Sequence, residues 1–206
     1  MSTARLESFS DGVIAVAITL LVLDLAVPTL KQSSGGVHLG RELGREWPVY
    51  AAYVISFMTI GIIWINHHVM IGRLARPDHS ILMLNLVLLL TIAVIPFSTS
   101  LLARYLREAH GARLAAGVYG AILLAMSVAF TAVNSQILMR RPHLMRVELS
   151  VDQRRKILTR SLGGLLPYLL ATTLAPVSPY VTIAITAAVA LFYALPLGSG
   201  IGVSEI

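Results

Sequence analysis

Residues 5–24 read RLESFSDGVIAVAITLLVLD. From Phe9 to Val27 the run is almost wholly apolar, yet it holds Asp11 near one end and Asp24 near the other. A secretory signal has an apolar stretch of about 7–15 residues and a small-residue cleavage site. This run is longer and no such site follows it. It is about the length that crosses a bilayer as a helix. We read it as a retained membrane helix carrying polar groups that hydrophobic burial alone would not put there.

The rest of the chain has the same character. Of 206 residues, 56% are hydrophobic and 13% charged, against about 45–50% and about 25% in soluble domains. The apolar residues come in blocks. Six spans are expected, at about 9–27, 48–71, 80–102, 113–138, 161–175 and 180–197. Pro96 is a candidate kink in the third, and Ser150 a candidate N-cap in the charged stretch before the fifth. A polar, glycine-rich loop is expected between the first two spans. No long repeat or linker divides the chain, so the expectation is one all-α membrane domain over residues 1–206.

The formal net charge is +6 and cysteine is absent, which excludes disulfides and thiolate metal sites. The bases lie between the apolar blocks, so topology and anionic headgroups explain them better than nucleic acid does. With six spans, one side collects ten Lys and Arg, among them Arg73, Arg76 and the run from Arg140 to Arg160. The other side collects six. The positive-inside rule then puts both termini in the cytoplasm of a multi-pass cell-membrane protein.

An unpaired acid at the bilayer centre costs roughly 2.5–3.5 kcal/mol. Asp11 lies about one turn inside, so its cost is smaller but real, and it needs a donor. Arg5 is on another face of the helix. The second span offers Trp64, His67 and His68. Trp64 and His68 are four apart and share a face, and antiparallel neighbours would bring them beside Ser10 and Asp11. The spacing leaves open whether His67 or His68 joins. At about 100° per residue, Val16, Leu20, Leu23 and Val27 form one stripe, with Thr19 on its shoulder. Asp11, Ile14, Ile18 and Leu25 lie opposite. Phase alone does not say which stripe meets lipid, protein or water.

The pattern from Arg5 through Phe9-Ser10-Asp11 and on to Asp24 resembles the FSD-motif potassium channels, the prokaryotic relatives of the lysosomal channel called transmembrane protein 175. Trp64 and His68 support the likeness, and spans four to six add little. The resemblance implies a six-helix subunit, assembled as a homotetramer with the first helices around a central pore. It implies a potassium-preferring cation channel without the Thr-Val-Gly-Tyr-Gly filter, a motif that this chain lacks. Carried over by position, Val16, Leu20 and Leu23 narrow the path and Thr19 forms a hydroxyl layer. Val16 departs from the family's usual Ile or Leu, and the smaller side chain would loosen the constriction. Arg5, Phe9, Ser10 and Asp11 would hold the first helix to the second through Trp64 and His68. Asp24 would concentrate cations at the outer mouth.

Blander readings stand beside these. Val16, Leu20 and Leu23 occur as lipid-facing residues in any membrane helix. Thr19 commonly bonds its own helix carbonyl. Asp11, opposite the stripe, suits a structural lock better than an ion ligand. Zinc at His67 and His68 lacks a third ligand at fixed spacing. A coupled transporter is the alternative function, but its usual repeat is missing. No nucleophile–base pair or cofactor motif suggests an enzyme. Permeant monovalent cations, membrane lipids and copies of the chain itself are the expected partners.

Overall fold

Ser2 opens the first helix, its side chain accepting the Arg5 backbone N–H at 3.4 Å, so the helix starts well before the apolar run. A computed structural model describes residues 2–25, 39–108 and 111–195. Its helices are α1 (Thr3–Leu20), α2 (Leu39–Arg45), α3 (Trp47–Gly72), α4 (His79–Tyr105), α5 (Ala112–Ser135), α6 (Val151–Gly163), α7 (Leu165–Leu174) and α8 (Pro179–Ala194). A 3-10 turn extends α1 over Leu21–Asp24 and a π turn extends α5 over Gln136–Arg140. Among the described residues there is no strand, only a single antiparallel bridge between Leu74 and Met145.

Long apolar runs become helices because in a bilayer every backbone N–H must be satisfied within its own segment. α3 and α4 have 26 and 27 residues, about 40 Å each at 1.5 Å per residue. Asp78 starts α4, its carboxylate accepting the Ile81 N–H at 2.8 Å and pairing with Arg141 at 3.0 Å. Ser150 and Gln153 form a reciprocal capping box at the start of α6, which satisfies two helix-end donors at once.

Five stretches of the described chain are long and apolar enough to cross a membrane: Thr3–Leu23, Trp47–Gly72, His79–Tyr105, Ala112–Arg140 and Val151–Leu174. The helical stretch that carries the expected fifth span begins at Val151, where the Ser150 N-cap read from the sequence starts it. It breaks at Gly164. The sixth, Pro179–Ala194, is apolar but has 16 residues, about 24 Å, short of a hydrocarbon core of about 30 Å. The loop after the first span contains the short helix α2. Residues 26–38 and 196–197, where the sequence placed the span ends around Val27 and Leu197, lie outside the described residues.

α4 is the central helix. It packs along α5 and also against α1 and α3, and Leu88, Ile92 and Ile95 are fully buried in it. α7 lies between α5 and α8. Gly120 on α5 permits this approach: a Cβ there would stand 3.1 Å from the Thr172 Cα. Inside the bundle, Ser56 Oγ of α3 lies 2.8 Å from Thr99 Oγ1 of α4 and 3.0 Å from Tyr119 Oη of α5.

One end of the bundle is tied by backbone bonds. Ala75 N donates to Leu144 O and Arg146 N to Arg73 O, each at 2.8 Å. Arg146 Nε donates to Leu74 O at 2.8 Å, and Thr3 Oγ1 to Ala75 O at 3.1 Å. The start of α1, the α3–α4 turn and residues 142–146 therefore share this end.

Candidate functional site

α1 has two faces of different character. Thr3, Leu6, Ser10, Ile14, Ala17 and Leu21 are buried against α3 and α4. Ser8, Phe9, Gly12, Ala15, Val16, Thr19, Leu20 and Leu23 are exposed. The exposure is large for apolar side chains: Phe9 49%, Val16 57%, Leu20 42% and Leu23 75%. At 100° per residue the buried set and the exposed set occupy opposite halves of the helix.

The buried face is fastened by polar contacts. Asn85 of α4 donates from Nδ2 to Ser10 Oγ at 3.0 Å, and His67 Nε2 of α3 lies 2.8 Å from Asn85 Oδ1. Ser10 in turn donates to its own helix at Leu6 O, 2.9 Å away. All three side chains are fully buried. An amide oxygen only accepts, so His67 must carry its proton on Nε2. The chain of donors then runs in one direction, from α3 through α4 to α1. His67 Nδ1 is buried without a partner among the described residues, and there a neutral lone pair costs less than a charge would.

Two contacts flank this junction at the subunit surface. Trp64 Nε1 donates to Asp11 Oδ1 at 2.9 Å. His68 Nδ1 lies 2.6 Å from Glu7 Oε1, with His68 61% exposed. The two histidines thus have separate partners: His67 reaches Ser10 through Asn85, and His68 meets Glu7.

Arg5 and Phe9 take no part. Both are exposed, and the Arg5 guanidinium has no hydrogen bond or ion pair among the described residues. They lie on the half of α1 opposite its buried residues. Asn85 and Glu7 had not been singled out from the sequence. The signal for Asn85 was present: it is the one amide in the apolar run Ile81–Leu90, and a polar residue at that depth needs a partner.

Thr19 donates its hydroxyl to Val16 O at 2.9 Å. The proton is thereby occupied and the oxygen lone pairs face outward with the exposed side chain. The Asp24 side chain lies outside the described residues. No group of three His, Asp or Glu able to hold a metal occurs among the described residues.

A family model described as the endosomal/lysosomal potassium channel TMEM175 matches residues 5–96. A potassium channel of Streptomyces collinus is 42% identical over 191 residues, covering 93% of this chain and 91% of that one. A potassium channel of Chamaesiphon minutus is 37% identical over 199 residues, covering 94% of each. The crystal structure of a lysosomal potassium-selective channel TMEM175 homolog from Chamaesiphon minutus superposes with a TM-score of 0.82 at 35% identity. That superposition covers 93% of this chain and 96% of that one.

Proposed function

The chain belongs to the TMEM175 family, a family of channels and not of enzymes, and on that basis we propose that it is a potassium-preferring cation channel that conducts passively. It works as a homotetramer whose α1 helices surround the path, each turning its exposed face to the axis. Val16, Leu20 and Leu23 narrow that path, and rings of four apolar side chains close it by dewetting. Thr19 offers a ring of hydroxyl oxygens, a weak cation site of modest selectivity. Asp24 raises cation concentration at the outer mouth. The whole chain forms a single membrane domain with six membrane-crossing helices, the short α8 among them. It sits in the cell membrane with both termini in the cytoplasm.

The observation that carries this reading is the division of α1. Apolar exposure by itself does not choose a pore, since α4 also exposes Leu90 at 65% and Phe97 at 62%, as a lipid-facing helix does. On α1 the apolar exposed strip also carries Gly12, Ala15 and Thr19. Small residues let backbones approach closely in a membrane. The opposite face is committed to α3 and α4. The channels named among the relatives cover nearly the whole chain.

Purified protein in liposomes should pass potassium down its gradient with no energy source and without saturating in the millimolar range. Potassium flux no greater than in empty liposomes, across several lipid compositions, would sink the proposal. Saturable flux coupled to a second gradient would replace it with a transporter.

A further inference from the structure

A cavity of about 240 Å³ lies between α3, α5, α6, α7 and α8, towards the bundle end that holds the N-terminus. Its lining is mixed. Arg73, which follows the last turn of α3, Asn134 of α5 and Arg160 of α6 bring polar and charged groups to it. Ile63, Phe130 and Val189 are among its apolar residues. Ile63 is about 15 Å from Arg73 along the axis of α3 at 1.5 Å per residue.

The polar part of this lining is incompletely satisfied. Neither guanidinium has a hydrogen bond or ion pair among the described residues. Arg73 is half-buried, and burial pushes its guanidinium below the ordinary value, although such a group stays protonated. Asn134 is 3% exposed. Its Nδ2 donates to Ser161 Oγ at 2.9 Å, while its Oδ1 has no partner among the described residues. The site therefore offers two cations and one hydrogen-bond acceptor together with an apolar wall. One side of it is α6, which has no buried residue, so entry from the bilayer needs little repacking. α6 also carries Arg155 and Lys156, which share a neighbouring surface groove with Arg160 and one acid, Asp152.

We propose that this cavity takes an anionic phospholipid from the leaflet on the N-terminal side, with its phosphate between Arg73 and Arg160 and part of one acyl chain along Ile63, Phe130 and Val189. A headgroup hydroxyl, as in phosphatidylglycerol, donates to Asn134 Oδ1. A free phosphate would leave the apolar wall unfilled. A zwitterionic lipid would bring its own ammonium close to the two arginines. The cavity takes a segment of one chain, and the remainder of the lipid stays in the bilayer.

The test is native mass spectrometry of the full-length delipidated protein, titrated with phosphatidylglycerol or phosphatidylcholine. The wild type should retain phosphatidylglycerol at least about fivefold better, in keeping with the attraction of paired basic groups for anionic headgroups. Arg73→Gln with Arg160→Gln should erase that preference. Arg76→Gln with Arg140→Gln, which removes the same charge outside the cavity, should keep it. Arg160→Gln alone alters an exposed side chain and should halve the preference or better, which covers the case of a misfolded double variant. Equal retention of the two lipids by the wild type would overturn the proposal. So would an equal loss in the Arg76/Arg140 variant, or displacement of the lipid by millimolar inorganic phosphate. The readout is binding, so it stands apart from whether the chain conducts.

Discussion

Trp64 and Asp11 meet across 2.9 Å, the indole N–H of α3 donating to the carboxylate of α1. Both side chains sit at the margin of the subunit, where Trp64 is 45% exposed. The contact therefore joins two helices at an exposed part of the surface. Charge-assisted bonds are worth more than neutral ones, but exposure reduces the gain. Trp64→Phe keeps the ring and removes the donor, and should destabilise the subunit by about 1 kcal/mol. A double-mutant cycle with Asp11→Ala, read by unfolding in detergent, should show coupling of the same size. Additive effects would mean the bond contributes nothing in solution.

The buried junction behaves differently. Asn85→Leu removes the middle of the chain from His67 to Ser10 and leaves two buried polar groups without their cross-helix partners. The cost should be about 1–3 kcal/mol. Adding Ser10→Ala removes one orphan and should recover part of it, since the penalty lies in the unpaired group more than in the lost bond. Thermal unfolding of the two variants tests this, and a double variant less stable than Asn85→Leu alone would contradict it.

Gly120 faces the α7 backbone. Gly120→Ala would place a methyl 3.1 Å from the Thr172 Cα and 2.9 Å from its Oγ1, so α7 must shift. The favourable helix propensity of alanine, about 1 kcal/mol, does not offset an overpacking cost of about 1–3 kcal/mol. The variant should melt below the wild type. A higher melting temperature would show that α5 and α7 are not so closely packed.

The proposed constriction can be wetted or tightened at a single position. Val16→Asn should raise potassium conductance severalfold by favouring water in the ring, and Val16→Leu should lower it. Single-channel recording in planar bilayers reads both. Conductance unchanged in the two variants would remove Val16 from the path.

Thr19→Val keeps the shape and deletes the oxygen. It should bring the potassium-to-sodium permeability ratio towards unity, measured as a shift in reversal potential under bi-ionic conditions. If the ratio stays at its wild-type value, the hydroxyl only serves its own helix, as its bond to Val16 O already allows.

The sequence made the two-faced character of α1 legible because 3.6-residue periodicity fixes which side chains share a face. It also made a donor for Asp11 on the second span legible, because a carboxylate in an apolar helix needs one. It left the His67 and His68 assignment open. Adjacent residues point about 100° apart, and only the position of α4 settles which one is buried. Asn85 stood out in the sequence only as a polar residue in an apolar run, and its partners depend on how α4 packs against both α1 and α3, which that run does not encode. The start of α6 was legible at Ser150, because a cap depends on local hydrogen bonding and is indifferent to the charges from Asp152 to Lys156.

Every polar fastening of α1 to its neighbours among the described residues falls within its first half: Thr3, Glu7, Ser10 and Asp11. Beyond Gly12 the helix is held only by apolar contact through Ile14, Ala17 and Leu21. A hydrogen bond fixes register to a few tenths of an ångström, while dispersion contact tolerates sliding and tilting at small cost. Mechanically, α1 is a beam clamped at one end, and its compliance grows towards Leu23.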